Sequence, residues 1–417
     1  MSGAGATRAE GPVDPPNAGA DPRASANSPA YRRAMIALFC AGLATFVQLY
    51  SPQGLLPDIA LEFGVSAGTS SWAVGAATIG VAAGVLPWAR LSDRVGRVRA
   101  MRWAIVAAVV VGLLLPFAPS FELLVTIRVI EGIALAGIPA IAVTALAETV
   151  RPAVLGVAIG TYIAGNTIGG LTGRIVAAEA AEPLSWRLGL GVVTVLAAFC
   201  AVGFLALVPR TAMRPAPNPP LLRAVLANLR NPGVAVAIAQ AFLLMGGFVA
   251  AYNYLTFRLE QPPFGLSLAQ VSWIFLAYLA GAAASRWVWR LVPRLTPTGT
   301  VLASVVVMTG GLALTLMQSL VGVIVGLVLF TGAFFAAHSV TSAVAPRRSN
   351  EGRSLVPPLY NLCYYAGSSL LGWVGGLFFA SWGWAGTVGM ITGVVLLSGA
   401  LAWGYAIRRG GLRMTDR

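Results

Sequence analysis

The chain has 417 residues, 57% of them hydrophobic and 10% charged, and a formal net charge of +14. Soluble domains carry about 25% charged residues, and disorder needs low hydrophobicity, so a water-soluble globule and a disordered chain are both excluded and an integral membrane protein remains. All 28 basic residues are arginine, and they punctuate the gaps between apolar runs instead of lining one face, which argues against nucleic acid as a partner.

Residues 1–30 are rich in Gly, Ala, Pro and Ser and read as a disordered tail. A helix needs about 20 apolar residues to cross a hydrocarbon core about 30 Å thick. Twelve such runs follow, over 34–56, 69–89, 101–118, 121–146, 153–175, 187–208, 233–257, 268–289, 299–317, 320–343, 355–380 and 384–407. The first lacks a small-residue cleavage site and is too long for a signal peptide, so it is expected to stay attached. Of the 28 arginines, 24 fall at the termini and in alternate loops, while Arg174, Arg187 and Arg258 are assigned to the opposite side. The positive-inside rule then puts both termini in the cytoplasm. Cys40, Cys200 and Cys363 lie far apart and His338 is the single histidine, so no metal site and no cofactor are expected.

Two stretches repeat at an offset of about 200 residues. Phe63-Gly64-x-Ser66 with Ser71-Trp72 matches Phe264-Gly265-x-Ser267 with Ser272-Trp273, and Tyr162-x-Ala164-Gly165-Asn166 matches Tyr364-x-Ala366-Gly367-Ser368. Such a repeat holds six spans, so both copies enter the membrane the same way up. The expected architecture is an all-α integral membrane protein of twelve helices in two six-helix bundles, residues 31–208 and 233–408. A Pro- and Arg-rich cytoplasmic linker, 209–232, joins them, and a tail, 409–417, ends the chain.

Three motifs carry chemistry. The loop after the second run reads Ala89-Arg-Leu91-Ser-Asp93-Arg94-Val-Gly96-Arg97, with one carboxylate among arginines and a glycine for the tight turn. It serves either as a latch that gates two halves or as a plain orientation signal. In the fourth run, Arg128 and Glu131 stand three residues apart, so they can meet on one helix face. An ionised group at that depth is expensive and normally faces a cavity or a partner. Burial favours the protonated form of a carboxyl and an adjacent guanidinium the ionised form, so the pair is a candidate for proton coupling. A static ion pair and a direct substrate contact are the alternatives. In the fifth run, Gly165-Asn166-Thr-Ile-Gly169-Gly170 suits close helix packing, with Asn166 as polar glue or a substrate contact. Gln48, Tyr162, Gln240, Asn253, Asn361 and Tyr364 are the other buried polar candidates for a cavity between the halves.

These motifs resemble those of the major facilitator superfamily over about residues 31–408. The loop matches the family's G-x-L-x-D-R-x-G-R pattern at Asp93, Arg94, Gly96 and Arg97, with Ala89 in the first glycine's place. Arg128-x-x-Glu131-Gly132 is similar to R-x-x-Q-G. The Gly165–Gly170 segment is similar to the family's antiporter motif, with Asn166 where that motif has proline. The resemblance implies two bundles rocking about a central site, and within the family it leans toward bacterial drug:proton antiporters and sugar-efflux-type permeases. It implies a secondary transporter of the bacterial inner membrane, not an enzyme, exporting a small amphipathic organic compound in exchange for protons. A proton symporter or facilitator for a small metabolite is the other possibility. The bilayer, protons and a small molecule are the expected partners, and a monomer suffices.

Overall fold

The computed structural model describes residues 28–209, 221–349 and 355–408. Most of the expected N-terminal tail, linker residues 210–220 and the tail 409–417 lie outside these. Eleven helices are long and apolar enough to cross a membrane. The last, Val356–Arg408, runs 53 residues and breaks helical geometry at Trp382 and Gly383, so it is two spans and the chain crosses twelve times. Spans 1–6 are Pro29–Gly54, Ala67–Val95, Arg97–Phe117, Phe121–Thr149, Ala153–Ala181 and Trp186–Leu207. Spans 7–10 are Pro232–Glu260, Leu268–Arg290, Val292–Leu314 and Leu320–Arg348, and spans 11 and 12 flank the break at Trp382–Gly383.

Polar caps set several span ends. The Ser28 hydroxyl accepts from Tyr31 N, so span 1 begins at Pro29 and takes in two residues expected in the tail. Ser120, Ser185 and Ser319 cap spans 4, 6 and 10 in the same way, and Asn231 caps span 7. Each cap is worth about 1 kcal/mol. Part of the expected linker is a helix, Leu221–Arg230. Span 5 runs on to Ala181, six residues past its expected end, so Arg174 stands about two turns inside the helix instead of at its far-side end.

The repeat is visible in backbone geometry. Gly64 (φ 62°) and Gly265 (φ 57°) both take the left-handed conformation that glycine adopts without steric cost. Two residues later Ser66 and Ser267 each cap a short helix, accepting from Thr69 N and Gln270 N. The second match is a packing site. A Cβ on Gly165 would lie 2.5 Å from Phe39 O of span 1, and one on Gly367 would lie 2.1 Å from Phe242 O of span 7. Spans 5 and 11 therefore press on spans 1 and 7 in equivalent ways.

The halves meet along two seams, span 2 against span 11 and span 5 against span 8. Among the described residues, every hydrogen bond joining them lies between mid-membrane and the side opposite the termini. Large apolar side chains such as Phe199, Val306 and Val321 are exposed on the outer surface, where lipid replaces water as their solvent.

Candidate functional site

Arg128 is the eighth residue of span 4 and Glu131 the eleventh, about 15 Å into the helix at 1.5 Å per residue. Both side chains are fully buried, with Arg128 Nη1 2.6 Å from Glu131 Oε2. The guanidinium also donates from Nε to Ala73 O (2.8 Å), from Nη1 to Gln48 O (3.2 Å) and from Nη2 to Leu49 O (2.5 Å). One arginine thus ties span 4 to the end of the first helix and the start of span 2. Among the described residues Glu131 Oε1 has no hydrogen-bond partner, and neither has Gln48 Oε1. Both oxygens lie close to Gly112: a Cβ there would stand 2.7 Å from Gln48 Oε1 and 3.2 Å from Glu131 Oε1. The Gln48 amide cannot simply be flipped to donate, because its Nε2 is already committed to Ala44 O at 2.9 Å. Two buried acceptors without a donor among the described residues therefore lie on the same side of Gly112. This site is internal to the first bundle, walled by Gly112 and Thr194, and Gln48 belongs to it and not to a cavity between the halves.

The second charged site is built on an arginine that the sequence places at the far-side end of its span. Arg174 of span 5 is 1% exposed. It donates from Nε to Gln53 Oε1 (2.7 Å), from Nη1 to Gly170 O (2.5 Å) and from Nη2 to Tyr278 Oη (3.0 Å) of span 8. Its guanidinium carbon stands 4.7 Å from the Tyr50 ring, 4.7 Å from Tyr278 and 5.1 Å from Phe275. Gln53 passes the link on, donating from Nε2 to Asn253 Oδ1 of span 7 at 2.8 Å. Among the described residues no carboxylate pairs with Arg174. The two arginines grip one short segment from opposite ends: Arg128 holds the carbonyls of Gln48 and Leu49, while Arg174 holds Tyr50 and Gln53.

On the far side, span 5 ends against the start of span 8. Glu182 accepts from Ser267 Oγ (3.1 Å) and Ala269 N (2.5 Å), and Glu179 accepts from Trp273 Nε1 (3.0 Å). Asp58, in the helix Leu56–Phe63 between spans 1 and 2, is pushed above the usual carboxylate range by burial and by the Glu182 carboxylate. On the terminus side, Arg97 pairs with Asp93 and with Glu148 (Nε–Oε1 3.3 Å) and donates to Ser92 Oγ (2.6 Å). These charges join spans 2, 3 and 4 of one half. Arg94 is exposed, and Gly96 turns the chain at φ 95°.

The chain matches the Major Facilitator Superfamily over residues 34–370. The chain belongs to that superfamily. It is 35% identical over 393 residues to the MFS-type transporter YybF of Bacillus subtilis, covering 94% of this chain and 96% of YybF. It is 35% identical over 373 residues to the inner membrane transport protein YnfM of Escherichia coli, covering 89% of each. A chloramphenicol resistance protein of Streptomyces lividans matches half of this chain, 31% identical over 217 residues and 52% of that protein. Among solved structures, an inward-facing, unoccupied bacterial homologue of the human lysosomal transporter Spinster superposes with a TM-score of 0.71 at 16% identity, over 90% of this chain and 95% of that one. The protein is thus a multi-pass membrane transporter of the major facilitator fold and not an enzyme.

The superfamily loop between spans 2 and 3 has a worn second copy that the sequence reading overlooked. Arg90-Leu91, Arg94 and Gly96 recur at an offset of 200 as Arg290-Leu291, Arg294 and Thr296. Thr296 keeps the positive φ of its glycine counterpart (62°, against 95° at Gly96), which is why it interrupts span 9. The remaining polar candidates divide. Asn253 joins the halves through its bond from Gln53, whereas the ring contacts of Tyr364, 4.9 Å to His338 and 5.3 Å to Tyr365, lie within the second half. Tyr162 turns its hydroxyl toward Asn166 one turn on, and Asn166 Oδ1 abuts Gly42 of span 1. Gln240 is enclosed within the second bundle beside Thr298, Thr341 and Tyr405, away from the first half. Asn361 is half-buried early in span 11.

Proposed function

We propose that this protein exports a small amphipathic organic compound across the bacterial inner membrane in exchange for protons, acting as a monomer with both termini in the cytoplasm. The observation that carries the reading is the pair of buried acceptors without a donor among the described residues, Glu131 Oε1 and Gln48 Oε1, on the same side of Gly112. A proton on Glu131 Oε1 supplies the missing donor, and an unmet buried polar group costs about 1–3 kcal/mol. Protonation also weakens the ion pair to Arg128, whose other bonds hold Gln48 and Leu49. The next turn carries Tyr50 and Gln53, which bear on Arg174 and hence on the seam to span 8. Proton occupancy and far-side closure thereby act on the same six residues, 48–53. The charged loop at Asp93, Arg94, Gly96 and Arg97 fixes spans 2, 3 and 4 as one body that moves in this rocking.

Three further findings favour this reading. Between described residues the seams carry hydrogen bonds on the side opposite the termini, which suits a transporter open to the cytoplasm, and the Spinster homologue that superposes well is inward-facing. The partial match to a chloramphenicol resistance protein favours export of an organic compound. The name of YnfM favours the inner membrane.

Reconstituted vesicles test the proposal. Glu131→Gln keeps the shape and supplies a permanent N–H donor. It is expected to abolish uphill transport driven by a pH gradient while leaving downhill exchange within about threefold of native, since its amide can satisfy Gln48 Oε1. Uphill transport at the native rate in this variant would remove Glu131 from the coupling step.

A further inference from the structure

Of the two arginines buried in the first half, Arg128 has its own carboxylate and Arg174 has none. Arg128 fills four of its five N–H groups, whereas Arg174 has acceptors for three among the described residues. A full positive charge held out of water beside neutral acceptors is expensive. Its surroundings are also under-used. Tyr50, whose ring lies beside Arg174, turns its hydroxyl toward Ser368 Oγ of span 11, and among the described residues neither oxygen has a well-aligned hydrogen bond. The walls are the rings of Tyr50, Tyr278 and Phe275.

We propose that Arg174 is the anchor for the substrate's charge, and that the exported compound is an organic monoanion, a carboxylate on an aromatic or otherwise apolar body. This deepens the export reading above and rests on it for the direction of travel. The carboxylate takes the two open N–H groups of the guanidinium and the hydroxyls of Tyr50 and Ser368, while its body lies against the three rings. One unpaired guanidinium balances one negative charge. A phosphate dianion would need a second free cation, and Arg128 is already neutralised by Glu131.

Binding and opening are then the same event. A charged acceptor draws Arg174 from the neutral acceptors Gln53 Oε1 and Tyr278 Oη. The Arg174–Tyr278 bond spans the two halves, and Gln53 is held in place for its own cross-half bond to Asn253. An anion at Arg174 thus loosens two of the bonds that keep the far side shut.

The test compares 1-naphthoate with its neutral isostere 1-naphthamide on the purified full-length protein in detergent, by isothermal calorimetry. Native protein is expected to bind naphthoate saturably and at least about tenfold more tightly than naphthamide, as a charge-assisted contact implies. Arg174→Gln is expected to remove that preference, and Tyr50→Phe to reduce it. Naphthoate binding no tighter than naphthamide on native protein would overturn the proposal, and that comparison needs no variant to fold. An undiminished preference in a well-folded Arg174→Gln protein would overturn it too. Detergent holds no proton gradient, so these results are independent of coupling. Naphthoate selectivity through Arg174 in a protein that moves no protons would sink coupled export and leave the anion site standing. Proton-driven export of naphthamide with naphthoate refused would do the reverse.

Discussion

The two seams between the halves occupy equivalent places in the repeat and are built from opposite materials. Where span 2 meets span 11, backbone meets backbone: a Cβ on Gly376 would stand 2.2 Å from Gly68 Cα. The polar contacts there are small, with Thr78 and Ser369 hydroxyls 2.6 Å apart and Ser369 Oγ 2.7 Å from Gly75 O. Where span 5 meets span 8, long side chains make the bridge: Arg174 reaches Tyr278 of span 8 directly and, through Gln53 at the end of span 1, is linked to Asn253 of the neighbouring span 7. At the offset of 202 that aligns Tyr162 with Tyr364, Arg174 falls on Gly376. Among the described residues the glycine seam has no charged group in its hydrogen bonds, so it suits a fixed rocking contact. The arginine seam is held by bonds that another acceptor can replace, so it is the one a ligand can open.

The largest effect is expected from filling the tight seam. Gly376→Val should disfavour the closed far side by about 1–3 kcal/mol through overpacking, a shift of roughly 5- to 150-fold. Cysteines placed near Gly68 should label faster from outside, with transport falling by a similar factor; unchanged labelling would show that the backbones do not meet there. Asn253→Leu comes next on the other seam. It strands the Gln53 amide, a loss of about 1–3 kcal/mol, and should accelerate outside labelling near Ser267. Thr78→Val is the paired control and should cost less, about 1 kcal/mol, because Ser369 keeps its bond to Gly75 O. If Thr78→Val proves the more disruptive of the two, the assignment of fixed and replaceable seams is backwards.

A smaller effect concerns the worn loop copy. Thr296 sits at φ 62° and ψ 161°, a region nearly reserved for glycine, at a strain of about 1–3 kcal/mol. It also caps the following helix by accepting from Gly299 N, a role glycine replaces at a loss of a few tenths of a kcal/mol. Thr296→Gly should therefore raise stability by about 1 kcal/mol, read as a higher unfolding temperature in detergent. Smallest is the pH response of the arginine seam's outer rim. Asp58 is half-buried near Glu182 and Glu260, and its partial burial and Glu182 raise its proton affinity in the closed form. A group that binds its proton more tightly when closed favours closure as pH falls toward the raised value. Outside labelling near Ser267 should slow on acidification in native protein, and Asp58→Asn should flatten that dependence.

Much of the fold could be read early because its signals are local. Gly64 and Gly265 mark left-handed turns and Ser66 and Ser267 mark caps, each a matter of three or four consecutive residues. The Arg128–Glu131 contact was likewise within reach, since i,i+3 spacing on a helix guarantees proximity. Arg174 was misplaced because it falls at the end of an apolar window, where hydropathy does not separate a buried charge from a loop. Gln48 and Gln240 were grouped with cavity candidates because a polar residue in an apolar run reveals that it needs a partner but not on which side the partner stands.

Hydropathy, arginine spacing and the repeat by themselves determined a membrane protein with twelve crossings in two like-oriented halves, since each depends on the chain's own composition and period. Only the tertiary structure decided that one buried arginine is neutralised and the other is not. Arg128 finds its carboxylate three residues away on the same helix, while the acceptors of Arg174 arrive from 121 and 104 residues away, on two other spans. No local pattern encodes which distant helix will lie alongside, because that is fixed by how the bundles pack.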